Sequence, residues 1–208
     1  MEVDRTVVAN THRALDVLRG LGADVEEVEI GWTDELIEAV HNYWAHSWVS
    51  NFSDLLENHR DELTDYTIWF IENSATCTAA DYKRSLQVAV KIYDTFGPMM
   101  DRYDLFICPT LGTNQVPAEY TWPDAIVTIN DETEGKIEER WSMTYPFNML
   151  SRCPVLSMPS GVTPNGVPSG VQFVGRTYDD KKVFAAAMAY EQAAKEFFSW
   201  QLDPAITQ

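Results

Sequence analysis

Residues 141–175 read WSMTYPFNMLSRCPVLSMPSGVTPNGVPSGVQFVG, and this stretch decides the fold. Two short apolar runs, Val155–Met158 and Gly170–Val174, are strand candidates. Between them lie Pro159-Ser160-Gly161 and Pro164-Asn165-Gly166, which read as turns because proline presets φ and glycine admits positive φ. Immediately ahead of the first strand, Trp141–Met149 reads as a short helix.

Upstream, Tyr103–Thr110 (YDLFICPT) is an apolar run closed by Pro-Thr, and a strand this apolar is expected to be buried on both faces. Leu111–Lys136 mixes Gly, Pro and Asn with the acids Asp131, Glu132 and Glu134, which predicts a long, solvent-exposed loop. Three helical stretches precede that strand. The first starts at Thr33, with Asp34, Glu35 and Glu38 where the helix dipole favours acids and an apolar stripe of Leu36, Ile37, Val40, Tyr43, Trp44 and Trp48. The second covers Asp61–Asn73. The third runs from Thr78 to Tyr103, capped by Thr78 with Asp81 in its first turn, and Gly97-Pro98 is expected to kink or break it before its last turn. At the amino-terminal end, Val3–Arg19 reads as a helix with Val8, Leu15 and Leu18 on one face, stopped at Gly20 and Gly22. Val25–Ile30 then reads as a strand, and Lys181–Phe198 as an alanine-rich closing helix. No internal repeat, low-complexity linker or composition break marks a second domain.

A chain of 208 residues, 45% of them hydrophobic, can bury a sizeable core in one domain. The formal net charge of -17, from 32 acidic against 15 basic residues, argues against nucleic acid or an anionic membrane as a partner, because phosphate contact is driven by Lys and Arg. Cys77, Cys108 and Cys153 are an odd count with no C-x-x-C pair, so neither a disulfide framework nor a zinc site is implied. Charged residues interrupt the first twenty positions, which excludes a signal-peptide core, and no stretch reaches the roughly 18 apolar residues a membrane span needs. A reduced, cytoplasmic protein is expected.

Asn148, Pro154, Pro159, Gly161, Gly166, Pro168, Gly170, Gln172 and Gly175 together resemble the carboxyl-terminal signature of the amidase signature family of serine hydrolases. That signature is an Asn, a Gly-x-Pro step, an apolar strand ending in Pro-x-Gly, a polar hairpin, and Gly-x-Pro-x-Gly-x-Gln. LRGLGADVEEVEI at 18–30 is similar to the start of the carboxyl-terminal half in such relatives, and YDLFICPT to their Y-D-hydrophobic-P-T strand. The resemblance implies an α/β fold: a mixed, largely buried sheet flanked by helices on both faces. Residues 1–208 are then expected to be the carboxyl-terminal portion of one such domain, with the amino-terminal catalytic core absent. A helix feeding a strand is the second half of a β-α-β crossover, so the sequence is expected to open inside a supersecondary unit.

Family members resemble one another in using a Ser, a second Ser in a cis peptide bond and a Lys to form an acyl-enzyme. Here no Gly-Gly-Ser-Ser run exists, and the only serines beside glycine, Ser160 and Ser169, match positions of backbone geometry. No catalytic residue, cofactor or metal is therefore assigned. His41 and His46 lie five apart, off the i, i+4 spacing of a helical metal site. Cys153, between Arg152 and Pro154 at the mouth of a strand, reads as a small core residue. Trp44, Trp48, Trp69, Trp122 and Trp141 read as core and pocket walls. What the resemblance does imply is a substrate pocket lined by Thr110, Leu111, Gly112, Trp141, Tyr145 and Phe147, with Trp44 and Trp48 as further candidates.

Two departures shape the expected substrate. Trp141 stands where glutamine-using relatives carry an acid for the substrate ammonium, and no Arg lies between Asp61 and Lys83 to take a substrate carboxylate. An apolar or aryl amide suits this better than glutamine, since a charged end would lack a partner. In the other departure, Ser151-Arg152-Cys153 replaces the usual small step before Pro154. The expectation is the substrate-pocket half of an amidase, inactive without the Ser-cisSer-Lys half, whose partners are that half, in cis or in trans, and a small-molecule amide. The alternatives are a truncated, non-catalytic remnant or a small-molecule binding or interaction module. An uncovered sheet edge also predicts a homodimer; light scattering checks this, and a monomer with no exposed apolar surface would count against it.

Overall fold

The computed structural model describes residues 3–116, 127–130, 132–134 and 141–198. Its centre is strand β5, Pro168–Val174, which pairs antiparallel with β1, Phe106–Pro109, on one side and with β4, Val155–Val162, on the other. Val171–Val174 of β5 therefore meet a partner on both edges: Phe173 lies opposite Ile107 and Leu156, and Gln172 opposite Cys108 and Ser157. Side chains alternate across a strand, so β5 serves two cores. Val171 and Phe173 pack with Met158, Leu18, Val183 and Tyr190 on one face. Val174 faces the other core, with Val40, Ile92, Phe96, Phe147 and Cys153.

Helices cover both faces. α1 (Arg5–Gly20), α6 (Asp180–Ala193) and α7 (Lys195–Phe198) lie against the sheet on the Phe173 side, while α2 (Glu35–Asn58), α4 (Ala79–Met100) and the short α5 (Tyr145–Met149) build the second core. α3 (Asp65–Ser74) packs on α2. This is the expected α/β arrangement of a small sheet flanked by helices, and the ladders among the described strands are antiparallel. No helix among the described residues is long and apolar enough to cross a membrane.

Several local expectations are corrected. Pro159-Ser160-Gly161 is not a turn. β4 runs through it to Val162, and the register shifts so that Pro159 pairs with Gly170 and Gly161 with Ser169. Ser160 is the extra residue of a β-bulge, and Gly161, at φ 138°, adopts a backbone that a side chain would strain. The true reversal is at 163–167, where the Gly166 N–H donates to the Thr163 carbonyl at 2.9 Å and Gly166 sits at φ 84°. β1 is half-buried rather than buried on both faces, because among the described strands it is the sheet's edge. Val25–Ile30 forms no ladder, having no described strand beside it; Tyr103 Oη holds it by donating to Glu26 Oε2 at 2.6 Å.

The helices differ in phase and length. α1 buries Val7, Asn10, Ala14 and Leu18, leaving Val8 39% exposed. α4 carries the capping box expected of Thr78, with Asp81 Oδ2 accepting from the Thr78 N–H at 3.0 Å. It runs through Pro98 to Met100, since a proline in the last turn forfeits little of the ladder. The second helical stretch divides into a 3-10 turn, Arg60–Glu62, and α3, which Thr64 caps. The closing helix divides at Ala194 into α6 and α7. The helix expected over Trp141–Met149 forms only over α5. The loop expected over Leu111–Lys136 contains a hairpin, β2 (Val127–Ile129) with β3 (Glu132–Glu134), turned at Asn130 with φ 52°. Asp131 and Trp122 lie outside the described residues.

Phe173 is fully buried, with its ring 5.3 Å from that of Tyr190. Phe173→Ala is expected to cost about 3–5 kcal/mol of stability by transfer loss plus cavity. Phe184→Ala, at a site 57% exposed on α6, should change stability by less than about 0.5 kcal/mol. Urea denaturation of the two variants checks the contrast.

Candidate active-site wall

The segment leaving β1 is stitched to three distant parts of the chain through its backbone. The Thr110 N–H donates to the Gly170 carbonyl at 2.9 Å, and the Thr110 carbonyl accepts from the Met143 N–H at 3.2 Å. The Gly112 N–H donates to the Trp141 carbonyl at 2.6 Å, and the Gly112 carbonyl accepts from the Asp4 N–H at 2.7 Å. Leu111 and Ser142 form an antiparallel bridge. Thr110, Leu111, Gly112 and Trp141 thus form one small wall standing on the carboxyl-terminal end of β1. Thr110 Oγ1 lies 3.0 Å from Ser157 Oγ, and a Cβ on Gly170 would sit 3.1 Å from Thr110 Oγ1, so glycine there admits the close approach.

Tyr145 and Phe147, the other two sequence candidates, both belong to α5 but point to different surroundings. The Tyr145 ring meets Trp44 edge-on at 4.6 Å, which ties α2 to the wall. Phe147 is only 4% exposed and packs with Trp32, Phe96 and Phe106 at centroid distances of 5.7, 5.8 and 6.0 Å; it supports from the core. Trp48 lies elsewhere, against Phe52 and Phe70 at 4.8 Å each. A separate groove of about 390 Å³ opens between α2, α3 and the start of α4, lined by residues including Glu38, His41, Trp69, Cys77 and Asp81; none of the six candidates lines it.

The residue that sequence reasoning left without a role is Gln172. It is 1% exposed, and its Nε2 donates to the Pro109 carbonyl at 2.9 Å and the Met143 carbonyl at 3.0 Å, with Cys108 Sγ at 3.4 Å. Its Oε1 and the indole N–H of Trp141 are buried without a hydrogen-bond partner among the described residues. The signal was visible as a carboxamide inside the apolar run Gly170–Val174.

The nucleophile candidates are all absorbed into structure. Ser169 Oγ accepts from Asn10 Nδ2 at 2.8 Å and lies 3.1 Å from Ser160 Oγ; both serines are buried beside α1. Burial pushes the Cys108 thiol up to about 12, with the Gln172 contact drawing it only partly back. Burial also raises Cys153, against a lowering contact with Thr177. Neither thiol is poised as a thiolate. The His46 ring stacks on Tyr82 at 4.2 Å, and Asn148 is exposed. No group of His, Cys, Asp and Glu fit for a metal ion occurs among the described residues.

The Amidase family's sequence profile matches residues 1–184. This chain belongs to the Amidase family. It is 31% identical over 198 residues to an acylamidase of Rhodococcus erythropolis, covering 91% of this chain and 39% of that protein. It is 27% identical over 201 residues to an amidase of Pseudomonas putida, covering 92% and 40%. The crystal structure of a bacterial aryl acylamidase of the amidase signature family superposes with a TM-score of 0.77 at 25% identity, covering 95% of this chain and 42% of that one. The chain thus spans about two-fifths of the length of these relatives.

Within this Amidase-family chain, Asp4 joins α1 to the wall: its backbone N–H bonds the Gly112 carbonyl, and its buried carboxylate caps the helix. Asp4 Oδ1 accepts from the Thr6 N–H at 2.8 Å and from Thr6 Oγ1 at 2.6 Å, while Oδ2 accepts from Gln115 Nε2 at 2.6 Å. Burial pushes its carboxyl up, but the bonds from Thr6, Gln115 and the Val7 N–H together outweigh that and hold it below the ordinary 3.8. A depressed folded pKa contributes stability that is present above 3.8 and lost as pH falls through the lowered value. Asp4→Ala is therefore expected to cost about 1–3 kcal/mol at pH 7, with the gap from the parent protein narrowing below pH 3.8. Urea titrations across pH 2–7 read that convergence; parallel curves over the whole range would contradict it.

Proposed function

We propose that this chain is the substrate-pocket half of an enzyme hydrolysing carboxylic amides, working with an amino-terminal amidase half, in cis or in trans, that carries the Ser-cisSer-Lys set. The observation that carries the reading is the family match over residues 1–184 in a chain spanning about two-fifths of its relatives. The buried serines and raised thiols support it, because they leave the described residues without an activated nucleophile. In this division of labour the partner half attacks the amide carbonyl to give an acyl-enzyme and release the amine, and water then frees the acid. This chain contributes the wall of Thr110, Leu111, Gly112, Trp141 and Tyr145, with Phe147 behind it.

The substrate in this reading is an apolar or aryl amide. Trp141 and the Tyr145–Trp44 pair offer aromatic surface to one side of the scissile bond, and no cation or acid among the wall residues would meet a charged substrate end. The R. erythropolis relative is an acylamidase and the superposed structure an aryl acylamidase, which agrees with that class. A cytoplasmic location belongs to the same proposal, supported by the free thiols Cys77, Cys108 and Cys153.

A chromogenic aryl amide tests this with the purified chain alone and after mixing with a separately produced amino-terminal half of a related amidase. Turnover only in the mixture is expected. Turnover by the chain alone would overturn the assignment and redirect attention to Cys153, Ser160 and Ser169; no turnover in either would favour a remnant or a binding module.

A further inference from the structure

We propose that Gln172 is a positioning residue that sets where the wall of Thr110–Gly112 and Trp141–Met143 stands on the sheet. The inference about geometry stands on this chain alone; its consequence for amide hydrolysis rests on the function proposed above. β5 is the most buried strand of the sheet, and Val171, Phe173 and Val174 around Gln172 are fully buried. An apolar side chain is the default for such a place, since a buried amide must recover its lost hydration through hydrogen bonds. Gln172 does so with its two N–H groups, one to the Pro109 carbonyl and one to the Met143 carbonyl.

Those two carbonyls belong to the two segments that form the wall. Pro109 closes β1, one residue before Thr110; Met143 follows Trp141 and Ser142 and bonds back to Thr110. Without Gln172, the strip 141–143 is joined to the 110–112 strip but has no side-chain hydrogen bond to β5 among the described residues. The carboxamide converts that pair of strips into a three-way junction, because its two donors diverge from one planar nitrogen. Its orientation is fixed: turned over, Oε1 would face two carbonyl oxygens and repel both. The buried Oε1 has no partner among the described residues, so the group is only partly satisfied, as expected where position outweighs stability. Cys108 gains nothing as a nucleophile from the 3.4 Å contact, since its thiol stays near 12.

Gln172→Met, similar in length and without donors, and Gln172→Asn, which keeps the amide but is one methylene too short to span both carbonyls, test the claim. In the isolated chain, hydrogen exchange at the backbone N–H groups of Met143 and Gly112 should quicken by about tenfold or more. The β4–β5 ladder amides should stay at the parent rate. In the mixture with the amino-terminal half, KM for the aryl amide should rise by about tenfold while kcat changes by less than about threefold, the pattern of lost ground-state positioning. Unchanged exchange at Met143 and Gly112, or equal acceleration at every ladder amide, would overturn the proposal. So would an unchanged KM in an active mixture. If the parent mixture is itself inactive, the functional reading fails, and the exchange pattern still decides the role of Gln172. Should Gln172→Met not fold, Gln172→Asn gives the same readout.

Discussion

The molecule is arranged around a strand, β5, whose second half, Val171–Val174, has no solvent face. Val171–Val174 are paired along both edges and covered on both surfaces, so each of these residues answers to neighbours on four sides. Two of the signature glycines, Gly170 and Gly175, follow from such crowding. A Cβ on Gly170 would press on Thr110 Oγ1 and Ser157 Oγ, and one on Gly175 would lie 2.5 Å from Val183 Cγ2, well inside any real contact. Glycine is present at these positions because neighbouring chain segments occupy the space a side chain would need.

The second constraint is polar. α1 is not held to the sheet by apolar contact alone: Asn10 reaches Ser169, and Ser169 bonds the Gly161 carbonyl at 3.3 Å, while Arg13 ties α1 to α7 by lying over the Phe197 ring at 4.8 Å. The β4 bulge makes this possible, since the extra residue Ser160 turns its hydroxyl inward toward Ser169. The start of α1 is pinned in the same manner. Asn130, at the tip of the β2–β3 hairpin, accepts from the Arg5 N–H at 2.9 Å and donates to the Val3 carbonyl at 3.1 Å, beside the bond from the Asp4 N–H to the Gly112 carbonyl. The helix, the hairpin and the site wall are therefore locked to one another through backbone groups that side-chain amides satisfy.

How much of this was legible in the sequence depended on whether a feature is local. Caps and reversals are, so Thr78 with Asp81 and the Pro164-Asn165-Gly166 turn read correctly from neighbouring residues. Helix phase is ambiguous when two valines adjoin, and Val7 rather than Val8 went inside because Asn10 and Ala14 complete its face. Pro159-Ser160-Gly161 carries the residues of a turn, and a bulge uses the same residues; only the partner strand distinguishes them. The apolarity of Phe106–Pro109 pointed to burial on both faces, and the edge position that leaves the strand half-buried is a fact about pairing that the run does not carry. In the wall, Thr110, Leu111 and Gly112 act through their backbones, so their side chains gave no warning of it, while Gln172 announced itself as a polar residue among valines without saying which carbonyls it serves.

The same logic separates pocket from catalyst. A hydroxyl or thiol becomes a nucleophile only when a base or a cation favours its charged form, and the described residues do the reverse: Ser160 and Ser169 are spent on each other and on Asn10, and the cysteines are desolvated. The strip 110–112 is a braced support, because the N–H and carbonyl groups of Thr110 and Gly112 are already committed to Gly170, Met143, Trp141 and Asp4. A surface stiffened in that manner can hold an amide in place without reacting with it. The proposed function accordingly gives orientation to this chain and assigns bond-making to its partner half.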